Sequence, residues 1–226
     1  MYRSMTLDRS GAQPPARAAW DRELGTPLED VQWSCICKLT KSVSCKSRFK
    51  LTHFNFIHRT CITPVTLHKM DSNRSTECPC CKHLTASFVH LAFSCSQVLE
   101  FWTKVLDRLQ PLFHINCEEL KPTFCLLGDI PKKKGQRLLH TFLHLVLLLA
   151  KRRVAIAWMG DLSPSLERWE RDVTEWSVAE EVRMKMCRTD DKLVEDLEVW
   201  GSLISESLDP LVIESTGSDT FQRDSE

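Results

Sequence analysis

Cys78-Pro79-Cys80-Cys81-Lys82-His83-Leu84-Thr85-Ala86-Ser87-Phe88-Val89-His90-Leu91-Ala92-Phe93-Ser94-Cys95 is the stretch on which the reading of this chain turns. Taken as ligands, Cys78, Cys81, His90 and Cys95 have the spacing C-x2-C-x8-H-x4-C. Three thiolates and one imidazole suit tetrahedral Zn2+ with every coordination position filled. Such a closed site stabilises a fold and leaves no position for substrate, so the expected cofactor is one structural Zn2+. Cys80 and His83 compete for places in the set. Using Cys80 for Cys81 makes the first pair a C-x-C chelate, less usual for structural zinc, and His83 lies so near Cys81 that the loop hardly closes.

Outward from this stretch, composition narrows the class. A chain of 226 residues that is 42% hydrophobic, with seven Trp and ten Phe, has enough apolar mass for a core. Only seven Gly and one Tyr occur, and β-branched runs are few, which argues against a large sheet. The eleven Cys are odd in number and the start MYRSMTLDRS lacks an apolar signal core. A secreted disulfide scaffold is therefore not expected, and a reducing, intracellular setting (nucleus and/or cytoplasm) is. The longest apolar run, Leu138 to Ala150, is interrupted by His140, Thr141 and His144 and closed by Lys151-Arg152-Arg153. It falls short of the ~20 residues a bilayer demands, so it reads as a buried helix and no membrane partner is expected.

The formal net charge of zero hides a division. Residues 31–96 carry nine Lys/Arg against two Asp/Glu, 97–159 ten against five, and 160–226 seven against eighteen. A polyanion partner suits the first two-thirds; packing of acidic helices against basic ones is the other account of the same pattern. The set Lys38, Lys41, Lys46, Arg48, Lys50, Arg59, Lys69, Arg74 and Lys82 is the candidate nucleic-acid footprint, or otherwise a solvated face. Phe88, Phe93 and Trp102 are candidates to stack on unpaired bases, although helical spacing points Trp102 to the core.

Periodicity predicts a mainly α fold. Residues 1–15 read as a loose leader, and helix is expected from Ala16 and again after Thr26-Pro27, with Thr26 as N-cap and Trp33, Ile36, Cys37 and Thr40 on one face. A helix from about Ser44 to Cys61 has the stripe Phe49, His53, Phe56 and Ile57, with Thr63-Pro64 ending it. After the knuckle, Val98, Phe101, Trp102, Val105 and Leu109 define a helix opened by Ser94 with Gln97 and broken at Pro111. Residues 114–136 read as irregular, Gln136 to Trp158 as a long helix, and Ser163-Pro164 as the start of another with Leu166, Trp169, Val173 and Trp176. Thr189-Asp190-Asp191 opens a last one carrying Leu193, Leu197, Trp200 and Ile204, which completes a C-terminal helical hairpin. The expected organisation is a basic helical segment over 16–70 and an inserted CCHC zinc knuckle with its following helix over 71–110, with room for a short β-hairpin in the knuckle. A helical C-terminal region over 111–205 and a disordered acidic tail over 206–226 complete it. Cys35, Cys37, Cys45, Cys61, Cys117, Cys125 and Cys187 are expected to be small buried residues rather than a second site.

Several ordered motifs resemble one protein region. His58-Arg59-Thr60-Cys61-Ile62-Thr63-Pro64-Val65-Thr66-Leu67-His68-Lys69-Met70, then Cys78-x2-Cys81, then Phe88-Val89-His90-Leu91-Ala92-Phe93-Ser94-Cys95 and Phe101-Trp102 are similar to the reverse-transcriptase zinc-binding region of LINE-type (non-LTR) retrotransposon proteins. The resemblance continues through Leu126-Leu127-Gly128, Ala150-Lys151-Arg152, Ile156-Ala157-Trp158 and Pro164-Ser165-Leu166 before Trp169, and it covers roughly residues 17 to 205. It implies His90 rather than His83 as the imidazole ligand. It also implies a region that follows an endonuclease and a polymerase and helps hold the element's RNA. A polymerase of this type needs an aromatic-x-Asp-Asp box, whereas Asp190-Asp191 follows Cys187-Arg188-Thr189 and fits a helix start better. The expectation is thus a non-catalytic C-terminal remnant of such an element that begins at a fortuitous or adopted Met. Its partner would be RNA or single-stranded nucleic acid, within a retrotransposon ribonucleoprotein, through Lys46, Arg48, Lys50, Arg59, Lys69, Arg74 and Lys82, with no small-molecule substrate. The alternatives are a protein-interaction scaffold built on the acidic Trp-bearing helices and a remnant without function.

Overall fold

The computed structural model describes residues 13–42, 47–113, 120–130, 137–160 and 163–187, together with Ser202. The chain divides into two compact units, 1–173 and 174–226. The described elements are α1 (Pro15–Leu24), α2 (Asp30–Ser42), α3 (Ser47–His58), α4 (Pro64–Met70), α5 (Ser96–Phe113), α6 (Arg137–Met159) and α7 (Leu166–Cys187). Two five-residue π-helical turns join them, π1 (His90–Ser94) before α5 and π2 (Thr123–Leu127) before α6. The fold is mainly α, and no strand occurs among the described residues, so the room left for a β-hairpin in the knuckle is not used.

The apolar run anticipated as a buried helix is the centre of the first unit. Every residue from Phe142 to Lys151 is buried, and α3, α5, π1 and π2 all pack against α6. A helix that is apolar on all sides has to be enclosed on all sides. The stripe Phe49, His53, Phe56 and Ile57 of α3 is buried as its spacing predicts, as are Val98, Phe101, Trp102, Val105 and Leu109 of α5. Three buried indoles tie elements together by donating to backbone carbonyls: Trp20 Nε1 to Ile57 O at 2.9 Å, Trp102 Nε1 to Ala92 O at 3.0 Å, and Trp169 Nε1 to Val146 O at 3.0 Å. Each joins two different segments and satisfies a donor that burial would otherwise orphan. Among the described residues no helix is long and apolar enough to cross a membrane.

Proline-bearing boundaries depart from the sequence reading. Helix α2 begins at Asp30 rather than after Thr26-Pro27, because Leu28 turns inward with its amide on Asp21 Oδ1 at 2.8 Å. Gln32 Oε1 then accepts from the amide of Glu29, the N3-to-N-cap half of a capping box. Thr63-Pro64 opens α4 rather than merely closing α3: Thr63 Oγ1 accepts from the Thr66 amide at 3.0 Å and Pro64 occupies N1. Pro111 does not end α5, which continues to Phe113, whose buried ring stacks on Phe142 at 6.1 Å. In α7 the cap is Ser165, accepting from the Arg168 amide at 3.2 Å, and not Ser163. Part of 114–136 is helical, since π2 ends at Gly128 with φ 71°, where a Cβ would meet His144 Nδ1 and Leu39 Cδ1 at 3.2 Å. The expected last helix from Thr189 and the acidic tail lie outside the described residues.

Lys151, 1% exposed, donates to His53 Nδ1 at 2.8 Å and to Leu126 O at 3.1 Å, and no carboxylate faces it among its described partners. Burial lowers its pKa from 10.5 to about 7 and also holds His53 well below its ordinary value, so His53 is the neutral acceptor. Between pH 7 and 9 the unfolded chain therefore binds a proton at this lysine that the folded chain does not. Stability should rise across that window by on the order of 1 kcal/mol per pH unit. The rise stops near pH 9, where the unfolded Cys thiols begin to ionise while Cys125, pushed up to about 12, stays protonated in the fold. Urea unfolding at pH 7.0, 8.0 and 9.0 checks this, and Lys151→Met should flatten the profile while raising stability at pH 7.

Candidate metal centre

Local backbone geometry builds the knuckle. The chain leaves α4 at Asp71 and folds back on itself, with Ala86 N bonded to Thr76 O at 2.8 Å, Thr76 Oγ1 to Leu84 O at 2.7 Å, and Cys78 N to His83 O at 2.8 Å. Lys82 N reaches Cys78 O at 3.0 Å, and Lys82 adopts φ 60°, the left-handed turn that swings Cys81 back toward Cys78. From Phe88 onward the chain is helical and delivers His90, and π1 hands over to α5 at Cys95.

The four predicted ligands converge. One donor atom from each of Cys78, Cys81, His90 and Cys95 lies within 4.8 Å of all the others. Cys78 Sγ and Cys95 Sγ are 3.8 Å apart, and Cys81 Sγ and His90 Nε2 are 3.2 Å apart. A tetrahedron of thiolates at ~2.3 Å from a central ion has S–S edges of about 3.8 Å, and the Cys78–Cys95 separation matches such an edge. The residues close enough to hold a metal ion are therefore these four, and no other such group of three or more occurs among the described residues. Cys80 is not one of them. His83 is not either: its ring stacks on that of His90 with centroids 4.7 Å apart, and its Nδ1 accepts from the Thr85 amide at 3.2 Å.

Electrostatics follow from placement. Cys95, with φ −58° and ψ 133°, is the N-cap of α5 in place of the anticipated Ser94, and Leu99 N bonds to its carbonyl at 2.7 Å. Amides of Gln97 and Val98 point at Cys95 Sγ, as a capping side chain requires, yet burial dominates and pushes this thiol up to about 12. For Cys81 the balance is reversed. Its slight burial is outweighed by hydrogen bonds from the His83 amide, the Cys78 and Cys95 thiols and the Ser96 amide, and its pKa is lowered. Burial, with the neighbouring His83, lowers His90, which keeps its imidazole neutral and able to ligate. The N-terminal end of α5 thus directs amides and the positive end of its dipole at a cluster that carries excess thiolate charge when metallated.

The remaining predicted residues separate. Lys69, Arg74 and Lys82 are exposed on α4 and the knuckle, Arg48 is exposed and Lys50 half-buried on α3, and Lys46 lies outside the described residues. Arg59 is not free for a phosphate. It pairs with Glu23, donates to Ala19 O at 2.8 Å and lies over the Trp20 and Phe88 rings at 5.2 and 5.0 Å. Phe88, Phe93 and Trp102 are buried, so none is available to stack on a base. Of the other cysteines Cys125 is buried, Cys37 and Cys61 are half-buried and Cys35 is exposed, against the expectation that all are buried. Cys45 and Cys117 lie outside the described residues, as does the side chain of Cys187. Arg152 pairs with Asp172 at 3.2 Å and Arg108 with Glu170 at 3.0 Å, so part of the basic charge does meet the acidic start of α7.

The fold and site define a helical protein with a Cys3His cluster whose donors lie close enough to hold a metal ion. No protein-family model matches the chain, and no curated protein matches it. Because Cys95 holds its proton in the metal-free chain, metal uptake has to displace it. Apparent affinity for Co2+ as a probe should therefore increase with pH between 6.5 and 7.5, about tenfold per unit for each proton released. Chelator competition at the two pH values measures it.

Proposed function

We propose that this chain is a non-catalytic, Zn2+-stabilised module that binds RNA, related to the zinc-binding region of LINE-type retrotransposon proteins. The observation that carries the reading is the closed Cys3His cage, in which all four donors come from the chain and no position is left for a reacting molecule. Thiolate-rich tetrahedral donors favour Zn2+ over harder divalent ions. Around the cage, the exposed cations Lys69, Arg74 and Lys82 are interleaved with exposed Leu67, Met70 and Leu84. Helix α4 buries no residue at all, although Thr63 caps it and His68 Nδ1 lies 2.6 Å from Arg74 O. A capped helix that contributes nothing to the core, beside cations and apolar side chains, suits phosphates and bases as partners.

A second reading has its own support. Val178, Val182 and Met186 are spaced four residues apart on α7 and are all exposed, which suits a protein partner. The Trp side chains assigned to that role do not help it, since Trp169 and Trp176 are both 3% exposed.

Zn2+ stoichiometry and fluorescence anisotropy with single-stranded RNA at two salt concentrations decide between them. One Zn2+ per chain and RNA affinity that falls steeply with salt are expected. The triple variant Lys69→Gln, Arg74→Gln, Lys82→Gln should weaken binding and reduce the salt slope by about two, since each phosphate neutralised on single-stranded RNA adds ~0.7 to it. Binding unaffected by salt and by the triple variant contradicts the RNA reading.

A further inference from the structure

The ligand His90 is held by a relay that starts far from it in sequence. Ser87 is the N-cap of the short helix that carries His90: its Oγ accepts from the His90 amide at 3.2 Å, and its carbonyl accepts from Leu91 N at 3.1 Å. That hydroxyl in turn donates to Glu23 Oε2 at 3.2 Å, and the same carboxylate oxygen accepts from the Val89 amide at 3.0 Å. A carboxylate on the last turn of α1 thereby satisfies one orphan amide at the start of the ligand helix and orients the hydroxyl that satisfies another. Its other oxygen pairs with Arg59.

Arg59 is itself fixed from three directions. Its guanidinium donates to Ala19 O and lies over Trp20 and Phe88, and it follows α3 in the left-handed conformation at φ 55°. Phe88 is 3% exposed and meets Trp20 at 5.6 Å, Phe56 at 5.8 Å and Trp158 at 5.7 Å. The step from Ser87 to His90 is therefore pinned on its polar side by Glu23 and on its apolar side by Phe88. Cys78 and Cys95 have no comparable link to α1 among the described residues.

We propose that Glu23, fixed by Arg59, is a positioning residue for His90, so that a carboxylate 64 to 66 residues before its contacts tunes the metal centre. This rests on the reading of Cys78, Cys81, His90 and Cys95 as metal ligands. Glu23 touches neither ligand atom nor metal; it acts by holding the ligand helix in the orientation that brings Nε2 to the cage. Groups hydrogen-bonded to a ligand side chain commonly change metal affinity ~10- to 100-fold, and Glu23, acting through the backbone that carries His90, is expected at the lower end of that range.

A double-mutant cycle on the full chain, read by Co2+ affinity and by the Co2+ ligand-field spectrum, tests it. Glu23→Ala should weaken Co2+ binding by ~10-fold or more and shift the ligand-field bands as water competes with imidazole. In the His90→Ala background the same substitution should change affinity less than about twofold, because the group it positions is gone. Glu23→Gln, which keeps one acceptor oxygen but loses the charge that holds Arg59, should fall between, and it carries the cycle if the Ala variant does not fold. An equal loss in both backgrounds would make Glu23 a general stabilising residue and overturn the proposal. So would an unchanged affinity and spectrum in Glu23→Ala. If the unaltered chain takes up no Co2+ or Zn2+, the metal reading fails first and this inference fails with it.

Discussion

The first unit depends on the enclosure of α6. Ten consecutive buried residues, Phe142 to Lys151, leave no face of that helix for water. Chain elements have to cover it from every direction, and α3, α5, π1 and π2 do so. Fully burying aliphatic and aromatic side chains is worth ~1.5–3 kcal/mol each, so this helix accounts for much of the apolar driving force. The indoles of Trp102 and Trp169 add direction to that force, because each donates to one particular backbone carbonyl. Even Lys151 conforms, giving up its ordinary charge state for hydrogen bonds to His53 and Leu126.

The metal centre hangs on this scaffold at two points. Cys95 is at once a candidate ligand and the N-cap of α5, and His90 begins the π-helical turn that packs on α6. Between them and α4, residues 71–87 have almost no helix of their own and contribute little to the core beyond Cys78 and Ala86. Such a segment cannot offset its conformational entropy by apolar burial. A metal ion held by Cys78 and Cys81 inside the segment and by His90 and Cys95 on the scaffold would supply the missing constraint, in the way small structural zinc sites couple metal binding to folding. The Glu23–Arg59 pair ties α1 and the residue after α3 to the turn that carries His90.

What the sequence made legible was local. The spacing from Cys78 to Cys95 pointed to the cluster, since a knuckle's ligands sit close together in the chain, while the choice of His90 over His83 came from the resemblance. The stripe on α3 and the long helix α6 were equally readable, because apolar spacing reports directly on the buried face. Proline was ambiguous for a physical reason: the missing amide that ends one helix suits the first turn of the next, so Thr63-Pro64 serves both uses. Phe88 and Phe93 lie beside the ligands, and nothing local tells an exposed ring from one that closes the core. Glu23 and Lys151 were beyond reach because their partners lie tens of residues away, and a carboxylate on α1 or a lysine after an apolar run carries no sign of what it will meet. Arg59 is the instructive failure: one more cation in a basic segment by sequence, and a cation–π and ion-pair anchor in the fold.

X-ray absorption at the zinc edge of the Zn2+-loaded chain is the most direct test that these four residues form one metal centre. Three sulfur neighbours at ~2.3 Å and one nitrogen at ~2.0–2.1 Å is the predicted shell. Four sulfurs would bring in a further cysteine such as Cys80 and displace His90, and a shell of nitrogen and oxygen alone would mean that the cage does not hold the ion; either contradicts the account.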